Sequence, residues 1–301
     1  MRVNLFMKFV IKPIFLIIFV VVFSCKSGDK EKSARNGSTF SALDSLNGLD
    51  VIWIKYKFTK SEVEQYPDMI EQSLVDYLSA FPSNSSIDIE SSLNRLIERT
   101  ENEPVFFYFL KEKISSYLYH PNSPMRNDLY FEQVLQAYQN SDLLNDNDKK
   151  RDQLILELVQ KNQVGEQAAD FYFINREGQK KSMSSFIADR KLIIFYDPKC
   201  SHCNETLNEM KQSDILNKEI FEKKMILLAI DPIGNLKNWE EYNSKIPSNW
   251  MNGIDTHKMI LKESLYNIQA YPTIYLLDRD NKVILKDVYF TFVENYLLGN
   301  E

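Results

Sequence analysis

Residues 191–204, "KLIIFYDPKCSHCN", run from an apolar stretch into two cysteines separated by a serine and a histidine. The continuous run 191–196 predicts a strand covered on both faces, and the sequence from Cys200 onward predicts a helix. Cys200 therefore closes a strand-to-helix turn and opens that helix. Helix N-termini carry unpaired N–H groups and the positive end of the dipole, which favour a thiolate. A thiolate is the attacking species in disulfide exchange, and the second thiol, Cys203, stands one turn further on. Competing uses of the pair fit less well. A c-type haem needs a histidine directly after the second cysteine, where Asn204 stands. A structural zinc site takes four ligands, commonly two such pairs, whereas His120, His202 and His257 show no ligand spacing to another pair. A purely structural disulfide between residues three apart would constrain little chain entropy.

The surroundings of the motif set the fold class. "DFYFINREGQ" (170–179) alternates and then turns at Glu177–Gly178, a hairpin signal. "MILLAID" (225–231) is a second buried strand, and the polar stretch 235–266, with Trp239 and Trp250, reads as helical. "PTIYLLD" and "KVILKD" are strands joined by the turn "RDN" (279–281), before a last helix over 290–298. Strands alternating with helices imply an α/β sheet with covered faces.

Upstream, residues 50–162 read as an all-α domain. Pro67 and Pro104 suit first-turn positions. Behind them, Ile70, Leu74, Tyr77, Leu78 and Phe81, then Phe106, Phe109, Leu110, Ile114, Tyr117 and Leu118, recur at helical spacing. With the segments near 89–97, 130–138 and 151–160, this predicts about five helices. "YLYHPNSPMRND" (117–128) is an ordered connection forced by its prolines and asparagines. His120 and Arg126 are binding candidates within it, set against a structural-linker reading.

At 301 residues the length fits two domains. Thirty-six basic residues against 42 acidic ones give a net charge of −6, and no basic run points to a nucleic-acid partner. The N-terminus reads as an address: Arg2, Lys8 and Lys12 precede "PIFLIIFVVVF" (13–23), a stretch short for a membrane span and suited to a secretory signal. Its end, "VFSC", resembles a bacterial lipobox, with Phe23 bulkier than usual, and makes Cys25 a lipidation candidate. An uncleaved anchor is the alternative, and both readings place the remainder outside the cytoplasm. "KSGDKEKSARNGST" (26–39) reads as a flexible tether. The resulting division is a signal peptide over 1–24, a tether over 25–49, the helical domain over 50–162 and the α/β domain over 163–301. With Cys25 acylated, Cys200 and Cys203 form a pair with no thiol left over.

Together, "GEQAADFYFINREGQ" (165–179), "LIIFYDPKCSHC" (192–203) and "AYPTIYLLD" (270–278) resemble the thioredoxin fold, and more closely the TlpA/ResA-type membrane-tethered thiol–disulfide oxidoreductases. The helical region resembles a domain of unknown function found ahead of such modules in lipoproteins of Gram-negative bacteria. The resemblance implies a central mixed sheet flanked by helices and a redox-active Cys200–Cys203 disulfide in place of any other cofactor. It implies Cys200 as nucleophile, Cys203 as resolving thiol, and Pro272, with Tyr271 before it, as the cis-proline loop that contacts substrate. The implied partners are a disulfide-containing protein substrate, a membrane electron-donor protein, and the bilayer through Cys25 of an envelope-anchored lipoprotein. Ile194 stands where thioredoxins carry a buried acid. Thr206 stands where TlpA/ResA-like proteins often carry a glutamate, with Glu205 one residue early, a rotation of about 100° on a helix. His202 resembles the histidine of oxidising CPHC motifs, and with Lys199 it is the candidate for tuning the Cys200 thiolate. The family favours a reductase and the dipeptide an oxidant or isomerase; reductase is the reading taken. The alternative from another class is a lipid-anchored binding protein using the thioredoxin-like module as scaffold.

Overall fold

The computed structural model describes residues 48–299. The signal, Cys25 and most of the tether lie outside the described residues. Among those residues, no helix is long and apolar enough to cross a membrane.

The described residues open with a 3-10 turn, Asp50–Trp53, followed by the helices α1 (Lys60–Gln65), α2 (Pro67–Ser79), α3 (Ser86–Thr100), α4 (Pro104–Leu118), α5 (Asp128–Gln139) and α6 (Asp146–Val159). The expected count of about five omits α1, a single short element without an apolar stripe. A capping box makes it a helix: the Thr59 hydroxyl accepts from the Glu62 N–H and the Glu62 carboxylate accepts from the Thr59 N–H. Pro67 and Pro104 occupy the first turns of α2 and α4, and Ser85, Asn127 and Asn145 cap α3, α5 and α6. The apolar stripes meet in one core that includes Trp53, Tyr77, Phe81, Phe106, Phe107 and Tyr138. Asp50, buried at the base, accepts from Ser92 Oγ at 2.7 Å and pairs with Arg95 at 2.7 Å, which ties the opening turn to α3.

The second half is a seven-stranded mixed sheet with the elements β1 (Tyr172–Asn175), β2 (Lys180–Ser182), β3 (Arg190–Phe195), α7 (Ser201–Gln212), α8 (Asp214–Phe221), β4 (Met225–Asp231), α9 (Leu236–Asn243), β5 (Met251–Ile254), α10 (Met259–Lys262), β6 (Thr273–Asp278), β7 (Val283–Lys286) and α11 (Phe290–Leu298). Strand order is β2-β1-β5-β4-β3-β6-β7. β3 lies at the centre, parallel to β4 and antiparallel to β6. Both faces are covered. α7, α8, α9 and α11 pack on the side of Leu192, Ile194, Leu227 and Ala229; Phe171, Phe173, Met183, Ile260 and Tyr266 cover Ile193, Phe195, Leu228 and Ile230.

One expectation fails here: 235–266 is not helical throughout. β5 interrupts it, pairing parallel to β4 and antiparallel to β1. Its four residues, "MNGI", carry no strand alternation, and Gly253 lowers the strand signal. Glycine is required there by packing, because a Cβ would lie 2.2 Å from the Phe173 ring. Tertiary pairing creates this strand, so local sequence does not announce it.

Candidate active site

β3 delivers the chain to the edge of the core, where Asp197 builds the turn. Its side chain accepts from Lys199 N at 2.8 Å and its carbonyl from Cys200 N at 3.0 Å. Cys200 is the N-cap of α7, and its Sγ accepts the Cys203 N–H at 3.2 Å. A side chain at that position satisfies one of the unpaired donors of the first turn, and here sulfur does what Ser or Asp usually does. Cys200 is partly exposed and Cys203 is buried, both as free thiols. Burial pushes the Cys203 thiol well above its usual range; the Asp197 backbone N–H opposes this, and neighbouring Cys200 adds to it. The two thiols are thus chemically unequal, one reachable and one held protonated under it.

The loop before β6 closes over the pair. The Tyr271–Pro272 peptide is cis, and Cys200 Sγ lies 3.5 Å from the Tyr271 carbonyl oxygen. Burial, with Asp231, Asp197 and Cys203 near it, pushes the Tyr271 hydroxyl up to about 12, so it stays protonated at neutral pH. Cys200, Cys203, Tyr271 and Pro272 are therefore brought together. His202 and Lys199 are exposed. The His202 ring sits 3.3 Å from Glu205, one turn along α7. Glu205 is in solvent and Thr206 is buried, so the Glu205 carboxylate points away from the buried face of α7 that carries Cys203.

The candidates in 117–128 separate. His120 Nδ1 accepts the Asn122 N–H within its own turn. Arg126 pairs with Asp287 and stands 3.8 Å from Asp128, while Lys286 pairs with Asp128 at 2.9 Å and donates to the Val159 carbonyl at 2.6 Å. This largely buried four-charge cluster joins the helical part to β7, which is the structural-linker reading of Arg126.

Three features of the site carry no motif in sequence. Asp231, at the end of β4 and fully buried, accepts from the Ile233 N–H at 2.8 Å and the Gly234 N–H at 3.3 Å through Oδ1; Oδ2 is buried without a hydrogen-bond partner among the described residues. Burial, helped by Asp197 and Asp255, pushes it up to about 6 against those two N–H groups. Gly234 is needed for that turn, since φ is +72° and a Cβ would meet the Asp255 carbonyl at 2.5 Å. Asn204 ties α7 to α9, accepting from Tyr242 and donating to the Cys200 carbonyl at 3.1 Å. Tyr196 donates to Asn252 at 2.9 Å, and Asn252 to Asn243 at 2.9 Å, a buried chain beneath the motif. The sequence signal for Asp231 is the acid that ends "MILLAID", a strand paired with β3, where Ile194 stands in place of a buried acid.

Both parts of the chain are similar to known proteins. Residues 52–162 match the family model described as a domain of unknown function, DUF5106. A thioredoxin-like protein from Bacteroides caccae of known crystal structure is 33% identical, with a TM-score of 0.79 over 83% of this chain and 90% of that one. Two proteins named thiol-disulfide oxidoreductase ResA, from Bacillus thuringiensis subsp. konkukian and Bacillus cereus, are each 28% identical over 129 residues, 42% of this chain and 69% of their own length.

Proposed function

Because this chain belongs to the TlpA/ResA-like thioredoxin-fold proteins, with a DUF5106 domain ahead of the redox module, we propose that it is an extracytoplasmic thiol–disulfide oxidoreductase acting as a reductase. The observation that carries this reading is the inequality of the two thiols: Cys200 partly exposed at a helix N-terminus beneath the Tyr271 carbonyl, Cys203 buried behind it. In the forward direction the Cys200 thiolate attacks one sulfur of a substrate disulfide. The substrate S–S bond breaks, and its second sulfur leaves as a thiolate that takes a proton. Cys203 then loses its proton and attacks Cys200 Sγ, which releases the first substrate sulfur as a thiol and forms the Cys200–Cys203 disulfide. Two electrons pass to the substrate, and a dithiol donor at the membrane restores the pair.

Burial keeps the Cys203 thiol protonated until a mixed disulfide has formed at Cys200, which suits it to the resolving step; the reductase direction follows from the resemblance to the TlpA/ResA-type proteins. His202 and Lys199, exposed beside the motif, are the side chains that would add positive or hydrogen-bonding character at its mouth. Acylation of Cys25 would tether the enzyme to the envelope membrane. The test is turnover of a small disulfide by the chain with a dithiol donor, with Cys200→Ser beside it. Turnover that disappears in the variant supports the reading. A variant that keeps full biological activity favours the scaffold alternative.

A further inference from the structure

The helical domain reaches the redox site. Its connection 119–127 places Pro121 and Asn122 across a cleft of 290 Å³ from His202, Thr206 and the Tyr271–Pro272 loop. Past Pro272 this cleft continues into a cavity of 310 Å³ between the two halves of the chain, the two sharing Pro121, Ala270, Pro272, Val288 and Tyr289 as walls. Four large apolar side chains stand about half exposed around that cavity: Leu129 at 51%, Val164 at 54%, Tyr289 at 50% and Phe292 at 56%. Leu129 comes from the helical domain, Val164 from the segment that follows it, and Tyr289 and Phe292 from the start of α11. Exposed apolar residues scattered singly need no explanation, but a convergent group beside a reactive centre marks a binding surface. The charged groups of the wall are used up among themselves, Arg126 with Asp287 and Lys286 with Asp128, so nothing there is left for a charged occupant.

We infer that the helical domain forms one wall of the substrate cleft, and that the cavity is a subsite for an apolar side chain near the reactive cysteine of an extended polypeptide substrate. The inference rests on the redox reading of Cys200. The cleft is walled by His202, two residues on from Cys200, and by the Tyr271–Pro272 loop whose Tyr271 carbonyl lies against Cys200 Sγ, so a chain whose sulfur meets Cys200 and whose backbone passes Pro272 enters the cavity next. An apolar cavity of about 150 Å³ takes a benzene ring; one of 310 Å³ holds a leucine or phenylalanine side chain with adjoining backbone. A thioredoxin-like module alone would lack the wall of Pro121, Asn122 and Leu129, so selection by side chain is what the added domain contributes.

The experiment uses the detergent-solubilised full chain and two synthetic peptide disulfides, one with leucines flanking the cysteine and one with serines. Wild type should turn over the leucine peptide with a kcat/KM about tenfold above the serine peptide, the scale of discrimination an apolar pocket provides. Filling the cavity by Leu129→Trp, and independently by Val164→Trp, should bring that ratio close to one. Ile87→Trp, on an exposed helical surface elsewhere, should leave it as in wild type. A wild-type ratio near one, or a ratio unmoved by both filling variants, overturns the inference while leaving the redox reading intact. Failure of wild type to reduce either peptide or hydroxyethyl disulfide overturns the redox reading and this inference with it.

Discussion

The Cys203 N–H donates to Cys200 Sγ across 3.2 Å, so the peptide that carries the buried thiol also solvates the exposed one. The donor is aimed at the sulfur that bears charge in the attacking state, and a charge-assisted bond of this kind is about twice as strong as a neutral one. Replacing Cys203 keeps that N–H and removes only the resolving step. Cys203→Ser should therefore still attack a substrate disulfide once and then stall, accumulating a mixed disulfide at Cys200 that mass spectrometry detects. Cys200→Ser should accumulate none.

Asp231 links acidity to stability. Its carboxyl is pushed up to about 6, above the ordinary carboxylate range near 3.8. The folded state therefore holds this proton more tightly than the unfolded chain, and the contribution is fully present below pH 3.8 and lost as pH rises through about 6. Asp231→Asn keeps an acceptor for the Ile233 and Gly234 N–H groups and removes the buried charge. It should stabilise the protein by on the order of 1–2 kcal/mol at pH 7.5, with the gain vanishing near pH 4. Urea denaturation at both pH values checks this, and a gain of equal size at pH 4 would assign the effect to something other than ionisation.

The four-charge cluster holds the two halves of the chain together at one wall of the cleft. Arg126→Met removes one positive charge and leaves Asp287 facing Asp128 in a buried setting. Breaking a buried ion pair from one side costs about 3–5 kcal/mol, and the loss should appear as a lowered unfolding midpoint. The double change Arg126→Met with Asp287→Leu should recover most of that loss.

Gly253 tests the one strand that sequence misses. A methyl group there meets the Phe173 ring at 2.2 Å, so Gly253→Ala forces β1 and β5 apart or turns the ring. Overpacking of this kind costs about 1–3 kcal/mol. Gly253→Ala combined with Phe173→Leu should be more stable than Gly253→Ala alone.

What sequence reveals about this protein divides along physical lines. The strands "LIIF", "MILLAID" and "TIYLLD" are legible because both faces are buried, so apolar content alone marks them. The helices α2 to α6 are legible through stripes and proline starts. α1 and β5 are not, because a reciprocal cap makes one and neighbouring strands the other. At the site, the cysteines and the "YP" loop stand out as residue types at fixed spacing. The acid, Asp231, and the wall formed by Pro121 and Asn122 come from elements distant in sequence, and only folding brings them beside the motif.

The most direct test of the central claim is a redox titration of the Cys200–Cys203 pair in the full chain, read by alkylation and mass. The expected result is one reversible two-electron transition in the reductase range, with a midpoint closer to about −270 mV than to about −120 mV. A midpoint near the oxidising end would contradict the reductase assignment, and a pair that shows no reversible transition would contradict thiol–disulfide exchange altogether.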